Sequence, residues 1–371
     1  MTNAISESAP ARIALFLPDL RPGGAERVML QLAGGFVDAG HEVDLVVVHV
    51  IGALANEVPP EVRLVSLNAR SEYTCLPSLL RYLRQNNPSA LLSTMILANW
   101  VVVLAVRLAG CQTRVVLRAA TTLSRQWRSS VFKKWLERVL VHLLYPHSDG
   151  IVAVSQGVAQ DLTSYAGVPA SHIRVIPNPL ISEALLQRSF QPLPPGVELP
   201  ASSPLILSAG RLEPEKDFPT LLRAFAILRQ QRPARLIILG EGRERQALEA
   251  LIESLGISGE VQLAGYVQNP LAYMRKASAF VLSSTWEGLP NVLIEAMACG
   301  CPVISTDCLS GPSEILNGGQ YGHLVPVGDV QGIADALRSV LDGEKRLPPP
   351  EWLEQYRVDR VVQQYLDTLG L

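Results

Sequence analysis

Short, nearly continuous apolar runs alternate along the chain with stretches whose apolar positions recur every three or four residues. In the first half the runs Arg12–Leu17, Val43–Val50, Val62–Ser66, Ala90–Thr94, Arg114–Arg118, Ile151–Val154 and Ile173–Ile176 read as strands. In the second half Pro204–Ala209, Arg235–Leu239, Val261–Ala264, Ala279–Ser283 and Pro302–Ser305 do the same. A strand apolar at consecutive positions is one covered on both faces, as in a parallel sheet. Between the runs, Glu26–Ala39, Thr220–Gln231 and Arg243–Leu255 carry the helical period. Strand alternating with helix predicts an α/β fold.

The alternation breaks once, at the proline-rich stretch Gln191–Pro204. Each side of it restarts with a strand and a glycine turn. The expected architecture is two doubly wound, Rossmann-like domains facing across a cleft. They span residues 1–185 and 204–350, with a linker at 186–203 and a closing amphipathic helix in 351–371 that can pack on either domain, including back on the first. Ligands of such sheets sit beyond the carboxyl ends of the strands. The most apolar stretch, Leu91–Leu108, contains Ser93, Asn99 and Arg107 and follows Pro88. It reads as a buried strand and a helix, not a membrane span.

Composition narrows the class. With 371 residues, 48% of them apolar and 18% charged, the chain can build two ordinary cores. A formal net charge of −2 gives no general case for nucleic acid. Cysteines 75, 111, 299, 301 and 308 form no Cys-x2-Cys pair, so they read as free thiols in a reducing compartment. The polar N-terminus has no basic flank and does not read as a signal peptide. A cytoplasmic protein is expected.

Three segments in the second half suggest chemistry. In Ser208-Ala-Gly-Arg-Leu-Glu-Pro-Glu-Lys-Asp-Phe218, Arg211 and Lys216 follow a strand end and Gly210. Two cations there can bracket a diphosphate, each charge-assisted bond contributing about 1.5–3 kcal/mol. Alternatively, Lys216 forms a surface pair with Glu213 or Glu215. In Leu239-Gly-Glu-Gly242, Gly240 and Gly242 either admit a ligand's base or ribose or simply mark a tight turn. In Glu287-Gly-Leu-Pro-Asn-Val-Leu-Ile-Glu295, two acids flank a helix start. Pro290 suits a first helical turn, and the amides of Gly288, Leu289, Asn291 and Val292 can face an anion. Glu295 sits in an otherwise apolar helix, which is costly unless it is paired with a structural cation or faces hydroxyls. Glu287 can meet hydroxyls or solvent. In the first half, Gly23-Gly24 precedes a helix, but the spacing is not Gly-x-Gly-x-x-Gly, which counts against a nicotinamide oxidoreductase.

Taken in order, these segments resemble the retaining GT-B glycosyltransferases of glycosyltransferase family 4. The matching text is Pro22-Gly-Gly-Ala-Glu-Arg27, Val154-Ser-Gln-Gly-Val-Ala159, Ile176-Pro-Asn-Pro179, Gly210-Arg-Leu-x4-Asp-Phe218, Leu239-Gly-Glu-Gly242, Glu287-x7-Glu295 and Leu324-Val-Pro-Val-Gly-Asp329. The resemblance implies a hexosyl- or N-acetylhexosaminyltransferase that takes a nucleoside-diphosphate sugar as donor and a glycan or polyprenyl-linked glycan as acceptor. Arg211 and Lys216 would hold the diphosphate, Glu295 the ribose, and Glu287 with the following backbone the sugar. Gly240 and Gly24 would line the donor site, while Gly23 and Thr121 would lie on the acceptor side. Arg118 would join Glu287, Arg211 and Lys216 as a catalytic residue. No Asp-x-Asp occurs in the sequence, so neither a metal nor another cofactor is expected.

One segment departs from the family pattern. Where relatives carry a histidine or Arg-Glu-Ala-Asn, this chain reads Arg118-Ala-Ala-Thr121. That motivates two alternatives: a non-catalytic nucleotide-sugar-binding subunit, or another GT-B enzyme such as a phosphorylase or epimerase. Residues Arg125–Leu144 mix basic and aromatic side chains at helical spacing. They predict either peripheral contact with an anionic membrane or a helix packed on the sheet with a solvated basic face. His41 and His323, the latter expected in a loop, read as structural.

Overall fold

The structure, a computed structural model, describes residues 10–124, 131–193 and 203–371, with the side chains of residues 131–134 left out. These residues form two compact units. One takes the chain to Pro179 and regains Arg357–Leu371, and the other is Leu180–Tyr356.

The first unit holds a seven-stranded parallel sheet in the order β3-β2-β1-β4-β5-β6-β7. Its strands are β1 Arg12–Leu17, β2 Glu42–Val47, β3 Arg63–Ser66, β4 Ala90–Thr94, β5 Arg114–Ala119, β6 Gly150–Ala153 and β7 Ile173–Val175. Ile13 through Leu17 are consecutive and fully buried, as a strand covered on both faces requires. The apolar stretch at Leu91 is indeed strand β4 followed by the helix Ile96–Ala109. Among the described residues no helix is long and apolar enough to cross a membrane.

The closing helix Val358–Leu369 packs on this first unit. Val361, Val362, Tyr365, Leu366 and Leu369 join the core that contains Ile13, Leu15 and Leu17. Gly35, on the helix Gly24–Asp38, makes this approach possible: a Cβ there would lie 2.3 Å from Val362 Cγ2.

The second unit holds a six-stranded parallel sheet in the order β10-β9-β8-β11-β12-β13. Its strands are β8 Leu205–Ala209, β9 Arg235–Leu239, β10 Val261–Gly265, β11 Ala279–Leu282, β12 Val303–Thr306 and β13 His323–Val325. Strand β13 was not foreseen, and His323 opens it rather than lying in a loop. It has three residues, begins with histidine and stops before Pro326, so its apolar run is too short to read. The expected linker begins inside ordered structure: the helix Glu183–Ser189 belongs to the second unit, with Ser182 capping its first turn and Arg275 Nε donating to Ser189 Oγ at 2.7 Å. The proline-rich residues 194–202 lie outside the described residues.

All five cysteines are free, and all but Cys111 are buried.

Candidate active site

The second unit gathers its polar groups at the carboxyl ends of β8, β9, β11 and β12. Strand β8 ends at Ala209 and the chain turns across the loop that follows β9. Leu212 N–H donates to Glu241 O at 2.9 Å, and Glu244 N–H donates to Leu212 O at 3.0 Å. The two loops touch backbone to backbone, and this sets the glycines. Gly240 has φ +136°, and a Cβ there would stand 1.9 Å from Gly210 O. A Cβ on Gly242 would stand 2.3 Å from Leu212 O. The space that glycine leaves at these positions is filled by the chain's own carbonyls.

Arg211 leaves this loop outward. Its side chain is 73% exposed and meets Glu215 at 3.4 Å. The chain then makes a 3-10 turn, Pro214–Lys216, and Asp217 takes a left-handed conformation at φ +43°. Aspartate tolerates that region better than most residues, and its carboxylate accepts from Thr220 Oγ1 at 2.7 Å where the helix Phe218–Gln231 begins. The turn lays the Lys216 stem over Gly210, so that a Cβ on Gly210 would sit 3.4 Å from Lys216 Cδ and Cε.

Lys216 Nζ lies 2.6 Å from Glu287 Oε1. Neither sequence neighbour is its partner: Glu213 pairs with Arg243 at 3.0 Å, and Glu215 faces Arg211. The same Glu287 oxygen accepts from Ser284 Oγ at 2.6 Å. The side chains of Lys216 and Glu287 are only 17% and 12% exposed, so the pair is partly withdrawn from water.

Hydroxyls fix the surrounding strand ends. Ser283 Oγ donates to Lys216 O at 2.7 Å, Thr285 N–H to Glu215 O at 2.8 Å, and Thr306 Oγ1 to Ser284 O at 2.6 Å. The next loop supports the first from behind. Ser310 Oγ donates to Gly288 O at 2.8 Å, and Gly311 at φ +96° makes room for the Pro290 ring, whose Cδ lies 2.5 Å from where a Cβ would be. Sequence reasoning passed over Ser283, Ser284, Thr285, Thr306 and Ser310. The available signal was a run of hydroxyl residues at the end of an apolar strand, where burial obliges each hydroxyl to find a partner.

Pro290 stands at the N-cap of the helix Asn291–Ala298, which has no side-chain cap. Leu293, Ile294, Ala296 and Met297 face the core. Asn291, Val292, Glu295 and Ala298 form the half-buried face. Glu295 thus lies one turn beyond the helix start on the half-buried face, together with two of the residues expected around an anion. Leu289 is half-buried and Gly288 buried. Burial pushes the Cys308 thiol up to about 12, Glu287 adds to the rise, and Lys216 opposes it.

The first unit places its expected residues differently. Gly23, extended at φ −157°, is the N-cap of the helix Gly24–Asp38, again without a capping side chain. The preceding loop is pinned like its counterpart: Leu20 N–H donates to Ile51 O at 2.8 Å, and a Cβ on Gly52, at φ +120°, would lie 2.1 Å from Leu20 O. Arg118 is 1% exposed. Its Nη1 donates to Thr94 Oγ1 at 3.1 Å and its Nη2 to Asn178 Oδ1 at 2.5 Å, while Nε has no partner. The guanidinium donates to two neutral oxygens, lies beside the Tyr365 hydroxyl, and links the ends of β4 and β5 to Asn178. Thr121 follows β5, half-buried. Its loop is held by the buried Asp161, whose Oδ2 accepts from Leu123 N–H at 2.5 Å and from Ser124 N–H at 3.2 Å. Asp161 escaped notice in the sequence; the signal was an acid sharing the buried face of its helix with Val158 and Leu162.

Part of the stretch Arg125–Leu144 lies outside the described residues, and the remainder contains the helix Val131–Leu144. Val141 is buried, Trp135 and Leu143 are each 56% exposed, and Arg138 lies over the Tyr165 ring at 5.3 Å. Among the described residues no three or more His, Cys, Asp or Glu side chains cluster as metal ligands.

Two family models match the chain: Glycosyltransferase Family 4 over residues 22–183 and Glycosyl transferases group 1 over residues 191–351. A Campylobacter jejuni protein, N-acetylgalactosamine-N,N'-diacetylbacillosaminyl-diphospho-undecaprenol 4-alpha-N-acetylgalactosaminyltransferase, is 30% identical over 343 residues, which is 90% of this chain and 91% of that one. A second protein of the same organism is 26% identical over 90% of this chain and 89% of its own. It is GalNAc-alpha-(1->4)-GalNAc-alpha-(1->3)-diNAcBac-PP-undecaprenol alpha-1,4-N-acetyl-D-galactosaminyltransferase. Among solved structures, Anabaena HepE in complex with UDP superposes with a TM-score of 0.77 at 20% identity, over 97% of this chain and 99% of that one. That likeness is one of fold.

Proposed function

The chain belongs to glycosyltransferase family 4, with the GT-B fold, and from that premise we propose that it moves a sugar from a nucleoside-diphosphate donor to a glycan or polyprenyl-linked glycan, retaining the anomeric configuration. The observation that carries the donor assignment is the Lys216–Glu287 pair at 2.6 Å, set beside an uncapped helix start and within one domain. The acceptor class is supported by the two Campylobacter relatives, whose names specify undecaprenol-linked acceptors.

In this reading Lys216 and Arg211 hold the diphosphate. The amides of Gly288, Leu289, Asn291 and Val292 add their partial positive charge at the helix start. Glu295 accepts from the ribose hydroxyls, and Glu287 accepts from hydroxyls of the transferred sugar. As the glycosidic bond breaks, negative charge grows on the diphosphate, and groups already fixed in place stabilise it without reorganising. The exposed Arg211 is free to move toward that charge, whereas Lys216 is preset. These side chains and amides supply the electrostatics themselves, so the proposal includes no metal or other cofactor. Gly240 shapes the floor of the donor site by letting two loops cross. Gly23, Gly24 and Thr121 belong to ligand-facing loops of the first domain, and Arg118 serves them as a positioning residue from beneath.

Exposed Trp135 and Leu143 on a helix that also carries Arg138 support peripheral contact with an anionic membrane. Co-sedimentation with anionic vesicles at low salt tests this point: protein left in the supernatant would remove it. The main proposal is tested by a thermal-shift panel of nucleotide sugars, followed by transfer to a polyprenyl-diphosphate glycan with the best stabiliser. NMR of the product should show the donor's anomeric configuration. Stabilisation by none of the panel would sink the donor assignment, and an inverted product would sink the retaining mechanism.

A further inference from the structure

Lys216 is assigned to the donor diphosphate, yet it already has an anionic partner within its own domain at 2.6 Å. Each member of this pair is held by its own surroundings. The Lys216 stem rests on Gly210, and its carbonyl accepts from Ser283 Oγ. Glu287 is held through Oε1 by Ser284 Oγ, and its loop is tied to the strand Val303–Thr306 by Thr306 Oγ1 through Ser284 O. An incoming diphosphate therefore has to compete with a positioned carboxylate, in a site partly withdrawn from water where removing an ion's partner is costly.

We propose that Glu287 sets the preference of the site for a sugar-bearing nucleotide over the bare nucleoside diphosphate, by acting as the counter-ion of Lys216 whenever no sugar is present. This rests on the donor reading above. When a whole donor enters, the diphosphate takes Lys216, and the sugar's hydroxyls donate to the carboxylate that Lys216 has released. Both exchanges are compensated. When a nucleoside diphosphate enters alone, Lys216 is satisfied, but Glu287 keeps only Ser284 as a donor and faces added negative charge. After transfer the product is in that second situation, so re-formation of the Lys216–Glu287 pair favours its departure. The same two charges thus hold the donor and expel the spent nucleotide.

The test is calorimetric titration of UDP, GDP and ADP into the wild-type protein, Glu287→Gln and Ser284→Ala. Glutamine keeps the shape of the side chain and removes its charge. The nucleoside diphosphate that binds the wild type should bind Glu287→Gln about tenfold more tightly, the ratio expected when one charge-assisted competitor is removed. Ser284→Ala, which loosens the carboxylate, should shift affinity in the same direction by a smaller factor. The same nucleoside diphosphate should become a stronger product inhibitor of whatever transfer Glu287→Gln retains. Equal affinity in wild type and Glu287→Gln, with both folded by circular dichroism, would overturn this inference and leave the donor reading intact. Failure of all three nucleotides to bind any of the proteins would remove both.

Discussion

Arg118 in the first domain and Lys216 in the second both lie near the carboxyl ends of strands, and the two are set up in opposite ways. Arg118 is sealed inside the first domain against Thr94 and Asn178, which are neutral and fixed. Lys216 stands at the edge of the second with a single carboxylate, 2.6 Å away, on a separate loop. A cation surrounded by neutral oxygens has nothing to exchange, and its work is to hold strands and loops in place. A cation with one charged partner near solvent can trade that partner for a ligand. Charge and residue type are therefore poor guides to role, and the replaceability of the partner is a better one.

Three substitutions would sharpen or break this contrast. The largest effect is expected for Lys216→Ala, which should lower transfer by about a hundredfold or more, as for other fixed electrostatic groups, with its melting temperature close to wild type. Glu287→Ala should also lose most transfer and keep its fold. Full activity in both variants would end the site assignment. For Arg118→Met the expectation is reversed. Urea unfolding should show a loss of about 3 kcal/mol, because buried partners lose a charged donor, and donor affinity should be retained. A stable Arg118→Met that no longer catalyses transfer would place the guanidinium on the ligand side and erase the contrast.

The glycines that pin the paired loops should behave alike in the two domains. Gly52→Ala and Gly240→Ala each combine positive φ with a backbone clash, and each should lose about 2 kcal/mol. Only Gly240→Ala should also weaken nucleotide binding in an isothermal titration. The smallest effect concerns Cys308, whose folded value near 12 lies above an ordinary thiol. Its proton is therefore kept at pH 8, and its contribution to stability is complete below about pH 8.5 and lost as pH rises toward the folded value. Iodoacetamide at pH 8 should leave it unmodified in the native protein. Glu287→Gln removes a repelling charge and should lower its pKa, whereas Lys216→Ala should raise it. The opposite ordering of alkylation rates would show that the thiol does not sense the pair.

Much of this arrangement was readable in the sequence, and the limits have physical causes. The strands Arg12–Leu17, Ala90–Thr94 and Arg235–Leu239 have the bounds that their apolar runs predict, because burial on both faces leaves no ambiguity of period. The edge strand His323–Val325 has too few residues to show any period. Lys216 and Glu287 were both legible as candidates, but their contact joins residues 71 positions apart and depends on the left-handed turn at Asp217. Local patterns offered only Glu213 and Glu215 as alternative partners. Ser283, Thr306, Ser310 and Asp161 were noticeable only as residue types, because their partners are backbone groups, which carry no sequence signal. Arg118 was legible as a charge at a strand end, but nothing local indicates that its side chain turns inward.

The return of Val358–Leu369 to the first domain bears on how the chain is made. The helix that completes the core around Ile13, Leu15 and Leu17 is translated only after the whole second domain. Until then the nascent first domain carries an unfilled apolar seam where Tyr365, Leu366 and Leu369 will lie. Exposed seams of this kind are what chaperones bind and proteases remove. A message broken before this helix would thus yield a product with that seam open, even with Lys216 and Glu287 already synthesised. The helix Val358–Leu369 thereby ties closure of the first core to synthesis of the second domain.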